Sequence, residues 1–274
     1  MGLRAGQTRL ALLTYRPPDL TRMRLHRIFV DRSMVAGGKA AIVGPEAHHV
    51  RTVLRLKPGD RLIGCDGLGS DYLLRIERSG PDALVCEVLS IMQPQSPECR
   101  SRIVLMQCCL SSGKMEQVVD RAIQLGVSGI VPVVSEKSKF RGDERQFNRK
   151  VERWRRIARS SALQCGRAHF PVIEPISPLI HAIKTPIDNA VRLLFTTDTE
   201  ARSARQVLPG LLSCPSERQV VYLLIGPEAG LSPVERKTII EHGFTAVMAG
   251  RRILRAEMAP IVALALVLYH LGEL

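Results

Sequence analysis

Aromatic residues are scarce: six Phe, four Tyr and one Trp make up 4% of 274 residues. The core must therefore be aliphatic, and Trp154, at helical spacing from its neighbours, reads as a core anchor rather than a stacking platform. Metal-ligand patterns are also missing. Of seven cysteines, Cys108 and Cys109 are adjacent, but no CxxC pair or Cys/His cluster occurs. That argues against a metal site and for reduced, mostly buried thiols in a cytoplasmic protein. Long apolar runs are absent as well. IVALALVLY at 261–269 cannot span a bilayer, and LALLTY near the start is too short for a secretory segment, so neither membrane nor export is expected. No GxGxxG or P-loop is present, which leaves a dinucleotide or ATP poorly supported. Acids are outnumbered, 26 against 39 Lys and Arg, for a formal charge of +13. Such a field attracts polyanions. Nucleic acid fits better than an anionic membrane, because no long basic amphipathic helix with aromatic anchors appears.

What is present divides along the chain. Residues 1–22 read as a flexible extension, or the product of an early start. Residues 23–93 read as short strands separated by turns at Pro58-Gly59 and Gly67–Gly69, which suggests a small β-barrel. The alternation around HHVRTVLRL is read as strand here, placing His48 and His49 on opposite faces. Residues 94–99, with PQSPE, form a linker. From 100 to 274, apolar strands alternate with helical patterns: RIVLMQCC, GKMEQVVDRAIQLG, GIVPVV, NRKVERWRRIARSSALQCG, AVRLLFTT, VVYLLIG, ERKTIIEHG, TAVMAG and PIVALALVLYHLG. This order implies an α/β domain with a mostly parallel sheet covered on both faces. The last helix is apolar on nearly every side and must be buried, in the domain or across a dimer.

Between Lys137 and Arg159 there are ten Lys or Arg and three acids. The tract is either a solvated helix face or a phosphate-contacting surface, with Lys137, Lys139 and Arg141 as its leading candidates. Three strands end in unusual loops, at the side of an open sheet where ligands bind. LLFTTDTE carries Thr196. LLIGPEAGLSPVE carries Gly226, Pro227, Glu228 and Gly230. MAGRRILRAEMAP carries Gly250, Arg252, Arg255 and Glu257. Glycines there permit close backbone approach to a ligand, and Ser232, Pro233 and Glu235 read as a helix start with a capping box. Arg252 and Arg255 either form a loop salt bridge or clamp a phosphate or carbonyl, with Glu257 orienting one of them.

These residues resemble the RsmE family, ribosomal RNA (uracil-N3)-methyltransferases of the SPOUT superfamily. The resemblance runs over 23–274: LHRIFV, EAHHV, SGKMEQVVDRAIQLGV, QCGR, LLIGPEAGLSPVE and GRRILRAEMAP, in that order. It implies a PUA-like RNA-binding barrel, a SPOUT domain with a trefoil knot, and an S-adenosyl-L-methionine pocket made by the three loops. It also implies a homodimer acting on a uridine of 16S ribosomal RNA in the small ribosomal subunit. The chain departs from the family pattern at Ala229, Ala256 and Met258, and at Arg121 and Gln124.

On that reading the cofactor lies against Thr196, Leu224, Gly226, Pro227, Glu228 and Gly230, with Gly250, Ile253 and Leu254 opposite. Arg255, then Arg252, would stabilise the anion developing on uracil as N3 loses its proton. RNA contacts are expected from His26, Arg27, His49, Arg51 and Arg55 on the barrel, and from Lys114, Gln164 and Arg167 on the larger domain. A methyltransferase acting at another position or RNA is the nearer rival. A non-enzymatic RNA-binding module would leave the three loops unused.

Overall fold

The computed structural model describes residues 25–94, 96–111, 113–184, 189–198, 201–212 and 219–274. The extension expected at 1–22 lies outside the described residues. The first sheet contains β1 (Arg27–Phe29), β2 (Val35–Ala36), β3 (Lys39–Val43), β4 (Arg61–Cys65), β5 (Asp71–Ser79) and β6 (Ala83–Met92). Its order is β1-β4-β5-β6-β3-β2, antiparallel except for the β1–β4 pair. It curls into an open half-barrel. Ile42, Leu62, Leu74, Ile76 and Leu84 fill it at 0–1% exposure, and each such aliphatic contributes about 1.5–3 kcal/mol.

One expectation is corrected. The HHVRTVLRL region is helical, not extended. Helix α1 (Gly44–His48) runs on into a wider helical turn over His49–Val53. Pro45 pre-sets the first turn, and Ala47, Val50 and Leu54, three and four apart, are the residues that pack on the half-barrel core. Alternation over so few residues did not distinguish this spacing from a strand.

The second sheet is parallel throughout. Its strands are β7 (Arg102–Cys108), β8 (Gly129–Val134), β9 (Val172–Ile173), β10 (Ser177–Pro178), β11 (Ala190–Phe195), β12 (Arg202–Ser203), β13 (Val220–Ile225) and β14 (Thr245–Met248). The order is β10-β8-β7-β13-β11-β14-β12, with β9 also on β8. Helices α2 (Lys114–Gln124), α3 (Glu144–Gln164), α4 (Leu179–Ile183), α5 (Ala204–Leu211), α6 (Pro233–Glu241) and α7 (Ala259–His270) cover it. Buried clusters lie on both faces. α2 buries Met115, Val118, Val119, Ala122 and Ile123 as its spacing requires. α3 starts at a cap in which Asp143 accepts from the Gln146 N–H at 2.7 Å, and it buries Trp154 to 1%. The chain leaves β13 in the sheet centre, returns by β14 beyond β11, then crosses back so that α7 packs on β13, α2 and α5.

The two sheets are joined by buried polar contacts. Arg27 makes a two-pronged bond to Asp71 (2.5 and 3.0 Å) and donates to the Arg167 carbonyl at 3.0 Å. Arg167, 4% exposed, pairs with Glu98 and donates to the carbonyls of Ile123 and Val127 at 2.9 Å each. The Gly69 N–H donates to Ala168 and the Phe170 N–H to Gly67, both at 3.0 Å. A side chain at Gly67 or Gly69 would come within 2.4 Å of Phe170 or 2.6 Å of His169, so only glycine permits this approach.

Candidate active site

Because β7, β13, β11 and β14 are parallel neighbours, their carboxyl ends deliver four loops to one place. A cavity of about 480 Å³ lies there. The last strand residues, Phe195 and Ile225, supply apolar wall, with Leu231, Leu254 and Ala256. Thr196, Gly226, Pro227, Glu228, Gly230, Gly250 and Ile253 complete most of the lining, and Arg252, Arg255, Glu257 and Lys114 stand among them. Residues expected from three separate loops thus share one hollow. Leu224 does not: it is fully buried in β13, with Met106, Leu194 and Ile239 in the core. Its carbonyl-end neighbours reach the cavity instead.

The loops are held by short-range bonds. The Thr196 N–H donates to the Val247 carbonyl at 3.0 Å, joining the ends of β11 and β14. The Thr196 hydroxyl accepts from the Asp198 N–H at 3.1 Å. Arg236, on α6, reaches Asp198 and lines the cavity too. Ser232 caps α6 with Glu235 in the reciprocal arrangement read from sequence. Glu235 also accepts from the Glu136 N–H at 2.7 Å, fastening the loop after β8 to the same helix start. Ala229 avoids the left-handed backbone region, so it replaces glycine without strain there.

Charge in the cavity is arranged differently from expectation. Glu257 orients neither arginine. Its nearest cation is Lys114, whose Nζ lies 3.9 Å from Glu257 Oε2 and 3.4 Å from Glu228 Oε1. Glu257 Oε2 is buried without a hydrogen-bond partner. Glu228 also accepts from the Ser111 hydroxyl at 3.0 Å. Burial pushes the Glu228 carboxyl up, but its own N–H, both Ser111 groups and Lys114 outweigh that and hold it below the usual range. Arg252 and Arg255 are exposed at the cavity wall, with no acid paired to either among the described residues. Two uncommitted guanidiniums next to an apolar hollow can stabilise negative charge that develops on a bound group.

The residues expected to meet RNA separate into groups. Arg167 is corrected: its guanidinium is buried and spent on Glu98 and two carbonyls inside the domain junction. Arg27 pairs with Asp71 and the Arg167 carbonyl, yet it still lines the groove between half-barrel and α3. Arg51 is likewise turned to the Gly80 and Pro81 carbonyls at the β5–β6 turn. Lys114 belongs to the cavity. His26, His49 and Gln164 come together in a groove of about 1050 Å³ between half-barrel and α3, beside Arg156 and Arg159. Arg159 lies 4.3 Å over the Phe29 ring. Arg55 is exposed on a left-handed turn (φ 55°) after α1. Lys137 and Lys139 are exposed after β8, and Arg141 lines a smaller pocket nearby.

Sequence reasoning missed Arg236, Ser111, Phe195 and Ile225. The strand-end position of the last two was a usable signal. Nothing local marked Arg236, whose place depends on how α6 returns over the loop of β11. Among the described residues no His, Cys, Asp and Glu group could hold a metal, and no helix is long and apolar enough to cross a membrane. The described cysteines are free. Burial raises the Cys65 and Cys86 thiols to about 11 and Cys109 to about 12.

Residues 97–268 match the RNA methyltransferase domain family, and residues 43–89 match the RNA methyltransferase PUA domain. The chain is 27% identical to the ribosomal RNA small subunit methyltransferase E of Buchnera aphidicola, over 92% of this chain and 99% of that one. Against the Bacillus subtilis protein of the same name identity is 23%, covering 84% and 90%. A Legionella pneumophila methyltransferase solved with bound SAM superposes with a TM-score of 0.80 at 26% identity, over 90% and 98% of the two chains. The Neisseria gonorrhoeae ribosomal RNA small subunit methyltransferase E, bound to S-adenosyl methionine, gives 0.79 at 25%, over 90% and 98%.

Proposed function

Because the chain belongs to the RNA methyltransferase domain family, we propose that it methylates N3 of one uridine in 16S ribosomal RNA, using S-adenosyl-L-methionine. The observation that carries this reading is the hollow at the tips of β11, β13 and β14, with two guanidiniums on its wall that no acid pairs among the described residues. The residues present fit the cofactor. Added side-chain atoms at Gly230 and Gly250 would meet nothing within 4 Å, so the backbone there is open to a ligand. Apolar walls from Phe195, Ile225, Leu231 and Leu254 suit a purine, while loop N–H and C=O groups read its edge.

When bound, the cofactor supplies an electrophilic methyl group on a sulfonium. The protein aligns uracil N3 with it and makes the loss of the N3 proton easier. Arg255 first, and Arg252 second, donate to the uracil carbonyl oxygens as negative charge grows there. Lys114, held between Glu228 and Glu257, fixes the two cofactor loops relative to α2. The proton passes to solvent.

Two further features belong to this reading. α7 buries Ala263, Leu264, Val267 and Leu268 inward, with Leu266 packed at the edge of the same core, yet Ile261 and Val262 remain half-buried and Tyr269 is 71% exposed. That apolar outer face supports a homodimer. The recrossing of the chain between β14 and α7 supports a trefoil knot. A ribosomal RNA substrate places the reaction in the cytoplasm.

The test is mass spectrometry of 16S RNA from small subunits incubated with the protein and isotope-labelled cofactor. A labelled 3-methyluridine is the expected product. Label on a ribose or another base would replace the substrate position, and no label on any RNA would end the reading.

A further inference from the structure

We propose that the pocket where the loop after β8 meets the start of α3 binds one unpaired RNA nucleotide, its base on Phe147 and its phosphate on Arg149 and Lys150. This rests on the RNA methyltransferase reading above and adds a substrate contact to it. The pocket holds about 320 Å³, and of its seven lining residues four are Arg or Lys and none is acidic. Arg149 and Lys150 have no carboxylate partner among the described residues, whereas Arg153 reaches Glu116 at 3.4 Å. Unneutralised cations around a concave site call for an anion, and the positive end of α3 adds to them.

The floor is aromatic. Phe147 stacks on Phe140 with ring centroids 5.4 Å apart and planes 27° from parallel. Phe140 packs against the buried core and lies 6.1 Å from Trp154, while Phe147 stands outside that core. A side-chain atom added at Gly142 would lie 3.1 Å from the Phe147 ring and 2.6 Å from the Gln146 amide oxygen. The Gly142 backbone therefore passes close beside both side chains, and a larger residue there would displace one of them. Gln146 contributes an amide that both donates and accepts, which suits a base edge. A phosphate alone needs no ring, and a paired base offers no free face to one. An unstacked nucleotide uses both.

The pocket is also connected to the chemistry. Glu116, which Arg153 reaches, accepts from the Gly113 N–H at 2.9 Å. The next residue is Lys114, on the cofactor cavity wall. The pocket and the cofactor cavity thus share one support, the start of α2.

Binding of a labelled single-stranded ten-nucleotide oligouridylate to the full chain tests the idea. Phe147→Ala is expected to weaken binding about tenfold, as the loss of one stacked base does, with Phe147→Tyr within about twofold of wild type. Arg149→Gln and Lys150→Gln should each reduce the slope of log affinity against log salt by about 0.7. Cofactor affinity should be unchanged in all four. If Phe147→Ala folds and binds as wild type does, the proposal is overturned. Should that variant not fold, the two glutamine variants decide: unchanged salt slopes overturn it. No oligouridylate binding by the wild-type chain at low salt also overturns it. A wild-type chain that binds the strand but methylates no ribosomal RNA defeats the enzymatic reading instead.

Discussion

The ammonium of Lys114 stands 3.9 Å from the Glu257 carboxylate, and Glu228 approaches the same ammonium at 3.4 Å from another loop. One cation at the first residue of α2 therefore holds together two loops that are 29 residues apart in the sequence, counting from 228 to 257. Lys114→Met should leave two carboxylates facing each other across the cavity. Cofactor affinity is expected to fall about fivefold to tenfold. Lys114→Met combined with Glu257→Gln should recover part of that loss, because neighbouring residues do not act additively. Isothermal titration of the single and double variants checks it; strictly additive losses would show that the two residues do not interact.

Arg255→Ala should lower kcat by about 100-fold or more, the usual cost of removing one donor to a developing anion. Cofactor affinity should stay within about twofold. Single-turnover methylation together with calorimetry separates the two quantities. An equal loss in both would make Arg255 a cofactor-binding residue.

Gly226→Val tests the cavity floor. The first added carbon would sit 3.4 Å from the Leu231 side chain, an ordinary contact, so the fold should tolerate it. The two methyl groups beyond it occupy space the ligand needs. Affinity for S-adenosyl-L-methionine should fall by more than about tenfold with the melting temperature little changed. Unchanged affinity would move the ligand away from the β13 loop.

Arg167→Ala probes the domain junction. A buried guanidinium paired with Glu98 and two carbonyls should cost about 3–5 kcal/mol to remove, since its partners stay buried and unpaired. Thermal unfolding should begin roughly 6–12 °C lower. RNA affinity of the folded fraction should not change. A selective loss of RNA binding in a fully stable variant would restore the direct contact that burial argues against.

Acid should act through Glu228. Its carboxyl titrates below the ordinary range, so the stabilisation it gives is complete above the usual glutamate value of about 4.3. That stabilisation is lost only as pH falls through the lower folded-state value. Cofactor affinity followed downward from pH 6 should therefore hold through the normal glutamate range and then drop, and Glu228→Gln should abolish the drop. A wild-type decline already centred above about pH 5 would contradict this order.

Most of the catalytic half was legible because its signals are long. The stripe from Met115 to Ile123 and the cap at Ser232 and Glu235 are local patterns, and folding kept them. The three loops could be read as partners because parallel strands send their carboxyl ends to one side. The half-barrel was less legible. Ala47, Val50 and Leu54 form a helical face in a stretch too short for its period to show, and Pro45 was the clue that outranked alternation. Arginine was hardest to assign. Arg27, Arg51, Arg149 and Arg167 look alike in sequence, yet three of them turn to carboxylates or carbonyls supplied by distant segments. Only the fold distinguishes an arginine that braces the structure from one left to meet a ligand.

The glycine contacts at Gly67 and Gly69, the Arg27–Asp71 pair and buried Arg167 make the half-barrel and the parallel sheet behave as the fixed jaws of a caliper. Such a tool measures what is placed in it and does not close on it. A target uridine must already be held at the matching separation from whatever the half-barrel grips, which a pre-shaped fold of RNA supplies and a slack strand does not.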